Sequence, residues 1–342
     1  MDYSHSMRSV GGETPGLSWS LFLLIASFSL LAVYCTSMSL YTMDVATGTV
    51  AATESLKLYR EALAGVRDFP YQWRLLGVYL VYWGERLTGF EPHTLDLALK
   101  TALLCASSSV LFLFSRFYTT RMGALCVVAF YQLLTVAGFA DQYTIYFTND
   151  YAMIAAWFAA VYCIKTERYL EAAALTFVGA FAKETLLLVP ILMGFRWLRN
   201  RGAVGITPVI LAAAAFLVPT IALRRAYPAP VSDWAWWHML FVNIPFLQGN
   251  RHDLATTLKN NLKVLLFFNV LWVLAARGVR TSDAFMKDLT LTGLVYLLLA
   301  YPVIVLRELR HFLPLAIVVL PLAIAELERR GVGATRSTDP TR

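Results

Sequence analysis

Ala180-Phe181-Ala182-Lys183-Glu184-Thr185-Leu186-Leu187-Leu188-Val189-Pro190 sets two adjacent charges between two apolar runs. Ionised side chains are expensive at membrane depth, so such a pair is a functional suspect by default. Arg307-Glu308-Leu309-Arg310-His311 repeats the pattern, separating the apolar stretch that ends at Leu306 from the one that begins at Phe312. Two charged marks of this kind predict one shared polar site.

Composition frames that reading. The chain is 58% hydrophobic and only 15% charged, with a mean hydropathy of +0.59, beyond what an ordinary soluble domain shows. The expected fold is all-α, a polytopic integral membrane protein. No polar stretch is long enough for a separate soluble domain, so residues 17–327 read as a single membrane domain between tails at 1–16 and 328–342. The net charge of +7 comes from basic residues clustered in short loops, where membrane orientation explains them without a nucleic-acid partner. Cys35, Cys105, Cys126 and Cys163 lie in apolar segments without CxxC spacing or nearby histidines. They read as packed small hydrophobes, not as disulfides or a metal cluster.

The first apolar run, Leu17–Leu40, is too long for a signal-peptide core and reads as an uncleaved helix. Further runs lie near Leu97–Phe114, Met122–Phe139, Tyr151–Ile164, Tyr169–Ala182, Leu186–Phe195, Val204–Leu223, Leu262–Ala276, Leu289–Leu306 and Phe312–Ala325, which makes about ten crossings. Tyr169–Phe195 could instead be one tilted helix or a re-entrant hairpin with Lys183-Glu184 at its tip.

Basic residues in the short loops alternate in abundance. One set of loops carries Arg116, Arg121, Lys165, Arg168, Arg196, Arg199, Arg201, Arg277, Arg280 and Lys287; the other carries Lys183, Arg307 and Arg310. The rich side is expected to be cytoplasmic, together with both termini. Asp44, Arg74, Asp141, Asp150, Lys183, Glu184, Glu308, Arg310 and His311 then share the extracytoplasmic side. Two larger loops fall there, 42–94 and 224–260. In the first, Leu56, Tyr59, Leu63 and Val66 recur at helical spacing, as in an interfacial helix, and Tyr71–Phe90 suggests a second. Arg74, Glu85 and Arg86 oppose a crossing by that second segment. In the other loop, Trp234, Trp236 and Trp237 with Pro228, Pro230 and Pro245 suit the headgroup boundary.

The ordered set of Asp44, Pro70-Tyr71-Gln72-Trp73-Arg74-Leu75-Leu76, Lys183-Glu184-Thr185 with Pro190, and Glu308-x-Arg310-x-Phe312 with Pro314 resembles the GT-C class of membrane glycosyltransferases, particularly bacterial mannosyltransferase-like members. The resemblance implies a sugar donor linked to polyprenyl phosphate, a glycan, lipid or protein acceptor, and an active site at the outer face of a bacterial inner (plasma) membrane. In that frame Asp44 is the expected base for the acceptor hydroxyl. Arg74, Lys183 and Arg310 are expected on the departing phosphate. Glu184, Glu308 and Asp150 would orient those cations or hold hydroxyls. Met43-Asp44-Val45 lacks the adjacent second acid often found in the class, so no metal is assigned, no cofactor is expected, and dependence on a divalent ion stays open.

Each candidate also has a bland role. Lys183-Glu184 could be a helix-end ion pair reaching the interface, and Glu308 could simply pair with Arg310. Asp44 could end a helix, and Asp150 could cap one. His238, His252 and His311 read first as surface or packed residues. A transporter or lipid flippase would place the same charges along a translocation path, and a non-catalytic subunit would use them to hold a partner.

Overall fold

The computed structural model describes residues 17–38, 51–64, 74–139, 147–200, 205–227, 254–301 and 308–336. Asp44, Asp141, Arg307, His238, His252, the tryptophans at 234, 236 and 237, and the tail at 1–16 lie outside the described residues. Among the described residues every element is helical and no strand occurs.

In chain order the helices are α1 (Trp19–Val33), continued by a π turn at Tyr34–Met38, α2 (Ala51–Leu63), α3 (Leu76–Thr88), α4 (Pro92–Ser115), α5 (Arg121–Phe139), α6 (Thr148–Lys165) and α7 (Tyr169–Ala180). After a 3-10 turn at Glu184–Leu187 come α8 (Leu188–Arg199), α9 (Ile206–Ala226), α10 (Leu254–Phe268), α11 (Leu271–Thr281) and α12 (Ala284–Ala300). A 3-10 strap at Leu309–Leu315 leads into α13 (Ala316–Arg336). The helix α13 runs on into the segment expected to be a tail from 328, and α10 begins inside the loop expected to reach 260.

Five helices are long and apolar enough to cross a membrane: Trp19–Ser37, Pro92–Ser115, Arg121–Phe139, Ile206–Ala226 and Leu309–Gly331. The pair Leu258–Phe268 and Leu271–Thr281, bent by 55°, makes a sixth if it is one span. Asn269 takes the left-handed φ of 47° at that bend, a conformation asparagine tolerates better than most residues. The ten crossings expected from the apolar runs exceed this number for identifiable reasons. Helices α7 and α8 have 12 residues each, roughly 18 Å against an apolar thickness of about 30 Å. The first turn of α6 is Thr148-Asn149-Asp150, and α12 stops at 17 residues.

The core centres on α6, whose Trp157, Phe158, Val161 and Ile164 are almost fully buried in the main apolar cluster, and which packs on α3, α4, α7, α8 and the 3-10 strap. Trp157 donates its indole N–H to Pro314 O at 3.0 Å, so even this large aromatic is satisfied and fixes the strap at the same time. The outer helices keep apolar faces exposed, among them Ile210, Leu217, Val218 and Ile221 on α9 and Leu294 and Leu298 on α12. That distribution suits helices surrounded by lipid. Helices α2 and α3 form where the sequence places them, packing Tyr59 and Ala62 against Val78 and Val81. Gly89, at a left-handed φ of 72°, ends α3, which leans on α4 and α6.

Candidate functional site

The start of α6 organises the site. Its first three residues are polar and buried, and each reaches a different neighbour. Thr148 donates its hydroxyl to Asp96 on α4, which also accepts from Lys100 at 2.6 Å. Asn149 grips the start of α3, accepting from Gly77 N at 2.7 Å and donating to Arg74 O at 2.9 Å. Asp150 receives Lys183 Nζ on Oδ1 at 2.6 Å and faces Arg310 Nε with Oδ2 at 3.2 Å.

The first amides of α3 are capped by other elements. Leu75 N and Leu76 N both donate to Phe181 O, at 2.9 and 3.1 Å. Orphan donors at one helix start thus meet an orphan carbonyl at the end of α7. This head-to-tail junction holds Arg74 beside Glu184, with Nε at 3.3 Å and Nη2 at 3.2 Å from Oε2. Glycine at position 77 makes the junction possible, because a Cβ there would sit 2.7 Å from Asn149 N.

Five side chains, Asp150 among them, close a ring. Lys183 Nζ lies 3.1 Å from His311 Nδ1, and His311 Nε2 lies 3.0 Å from Glu308 Oε2. Arg310 Nη2 donates to that same Oε2 at 2.6 Å, and Arg310 Nε returns to Asp150. A lysine can only donate, so Nδ1 accepts, and neutral His311 then donates from Nε2 to Glu308. Two cations and two carboxylates make the ring neutral. The Arg310 guanidinium also lies over Phe147, 3.9 Å from the ring centroid. Behind it, Gly138 leaves room for the strap: a Cβ there would come within 3.2 Å of Arg310 Cα. Tyr296 on α12 donates to His311 O at 2.5 Å and steadies the strap from the other side.

Burial and charge act in opposite directions on the carboxylates outside the spans. Burial pushes Glu184 up, but the Arg74 charge with further hydrogen bonding outweighs it and holds the acid below its ordinary range. Burial likewise opposes ionisation of Glu308, and the His311 hydrogen bond with the Arg310 charge reverses the balance. Both carboxylates are therefore ionised at neutral pH.

The two charged marks in the sequence thus meet in space. Lys183 and Arg310 share Asp150, and Arg74 stands at the neighbouring junction. Lys183 and Glu184 do not pair with each other; each takes a partner distant in sequence. Glu308 and Arg310 do pair, within the larger ring. Asp150 occupies the first turn of α6, yet its carboxylate serves the two cations. Four residues take parts that the sequence reading did not give them. His311 carries the link between Lys183 and Glu308, Asn149 pins α3, and Asp96 with Lys100 forms a buried pair on α4. The four-residue spacing of Asp96 and Lys100 on one helix face is the signal for that pair.

Among the described residues no group of three or more His, Cys, Asp or Glu side chains could hold a metal ion, and the cysteines form no disulfide. No family profile, curated protein or solved structure shows a significant match to the chain.

Proposed function

We propose that the protein is a membrane glycosyltransferase of the GT-C type, moving a sugar from a polyprenyl-phosphate donor to an acceptor hydroxyl at the extracytoplasmic face. The observation that carries this reading is the convergence of Arg74, Lys183 and Arg310 around the start of α6. The ring occupies only part of the donor capacity of its cations. Lys183 has three N–H bonds and uses two, on Asp150 and His311; the Arg310 contacts fall on Nε and Nη2, leaving Nη1 uncommitted among the described residues. A phosphate can therefore be received without dismantling the ring.

Such donors suit the reaction. A sugar linked through a phosphodiester carries about one negative charge, and the departing lipid phosphate approaches two, so fixed N–H groups hold the transition state more strongly than the ground state. The apolar faces that α9 and α12 leave exposed would suit the lipid tail of such a donor. In this proposal α6, α7, α8 and α12 supply the crossings beyond those that qualify by length and composition, with both termini cytoplasmic, and α2 and α3 lie at the outer interface. Asp44, expected as the base, lies outside the described residues.

Purified protein in vesicles, supplied with radiolabelled polyprenyl-phosphate hexoses and pentoses and with octyl glycosides as acceptors, tests the reading when lipid scrambling is followed in the same vesicles. Transfer without scrambling is expected. Scrambling without transfer would replace the enzyme by a flippase.

A further inference from the structure

We infer that Glu308 is the catalytic base that takes the proton from the acceptor hydroxyl, an inference that rests on the transferase reading above. Both of its ring contacts fall on one oxygen: Arg310 Nη2 and His311 Nε2 converge on Oε2, while Oε1 meets no group among the described residues. Asp150 cannot play this part, since Lys183 occupies one of its oxygens and Arg310 the other. Glu308 is also the most open charged member of the ring, its side chain 19% exposed against 10% for Asp150. An ionised carboxylate with one oxygen anchored and the other without a contact among the described residues has the form a general base requires.

Glu184 is the competing acid, and it too places both contacts to Arg74 on Oε2. It stands outside the ring. Glu308 alone is joined through an imidazole to the cation expected on the leaving group, with Lys183 on the Nδ1 side of His311 and Glu308 on the Nε2 side.

The step balances without a further reactant. The acceptor oxygen forms a bond to the anomeric carbon as its proton passes to Glu308 Oε1. The bond from that carbon to the phosphate oxygen breaks, and its electron pair leaves on the phosphate beside Lys183, Arg310 and Arg74. Proton loss from Glu308 to water restores the resting state.

Single-turnover transfer decides the matter, using a polyprenyl-phosphate hexose or pentose and an octyl glycoside that the wild-type protein accepts, with donor affinity measured in parallel. Glu308→Gln is expected to lose about 10²–10⁴-fold in rate, with donor affinity retained and partial rescue by added formate. Wild-type turnover in Glu308→Gln, or abolition confined to Asp44→Asn, would overturn the assignment while leaving the transferase reading intact. No transfer by the wild-type protein with any donor and acceptor would remove both. Should Glu308→Gln fail to fold, Glu308→Asp preserves the charge facing Arg310 and His311 but withdraws the carboxylate by one methylene. A slowed rate with unchanged donor affinity then supports the assignment, and an undiminished rate refutes it.

Discussion

The two ends of α6 use aspartate in opposite ways. At its start, Asp150 is shared by Lys183 and Arg310, its own side chain only 10% exposed. At its end, Lys165 reaches Asp283, which caps α12 by accepting from Met286 N at 2.8 Å and has a side chain 43% exposed. Tyr118 adds a longer contact at 3.4 Å, and Lys165 lies over the rings of Phe117, Tyr118 and Phe285. The Asp283 cluster is a helix cap on an exposed aspartate, reinforced by a half-buried lysine. Its members can be lost one at a time, because water replaces what is removed. The Asp150 cluster has no such reserve: each charge is balanced by another that is also withdrawn from solvent. One end joins helices, and the other holds charge in fixed positions.

The widest predicted gap between the ends concerns stability. Asp150→Ala strands two buried cations and is expected to cost about 3–5 kcal/mol. Asp283→Ala, mainly the loss of a cap, is expected to cost about 1 kcal/mol. Denaturant unfolding in detergent measures both, and equal costs would erase the distinction. Next comes transfer activity. Lys183→Met and Arg310→Met are each expected to slow single-turnover transfer by about 10²–10³-fold. The double variant should lose less than the product of the two, since both serve one phosphate. Arg310→Lys should also be impaired, because an ammonium cannot serve Asp150 and Glu308 from a planar fork. Fully multiplicative losses would count against a common ligand.

A smaller effect attends the junction. Asn149→Ala removes both hydrogen bonds to the start of α3 and should cost about 1–3 kcal/mol, with weaker donor binding as Arg74 loses its support. Unchanged donor affinity at normal stability would detach Arg74 from the site. Smallest of all, Lys165→Met should shift stability by less than about 1 kcal/mol and leave transfer unaltered. A large loss of transfer there would mean that the far end shares in the chemistry.

How much of this was legible follows from the type of signal. Lys183-Glu184 and Arg307–His311 interrupt long apolar runs, and such interruptions survive any averaging of hydropathy, so their importance could be read directly. Which cation each acid would meet could not. An aspartate in the first turn of a helix has a sufficient local explanation in capping, and nothing local to Asp150 announces two cations from distant segments. Asp96 and Lys100 were hidden by the reverse effect: a run beginning at Leu97 looks apolar as a whole, so Lys100 vanishes into it while Asp96 is left just outside its start. Apolar runs also conceal where helices break. The end of α7 and the start of α8 are separated by the turn that carries the site, so two short helices stand where hydropathy suggests full segments.

The ring has a consequence for biosynthesis. Asp150 and Lys183 are 33 residues apart, and that pair can form as soon as α7 has been made; His311 follows Lys183 by 128 residues, with Glu308 and Arg310 beside it. Until the strap emerges, the half-ring of Asp150 and Lys183 has its charges matched but is open on the side that Arg310 and Glu308 will occupy. A chain arrested before residue 308 therefore carries a partly formed polar site with no seal, a feature by which a membrane quality-control protease could distinguish an unfinished molecule from a finished one.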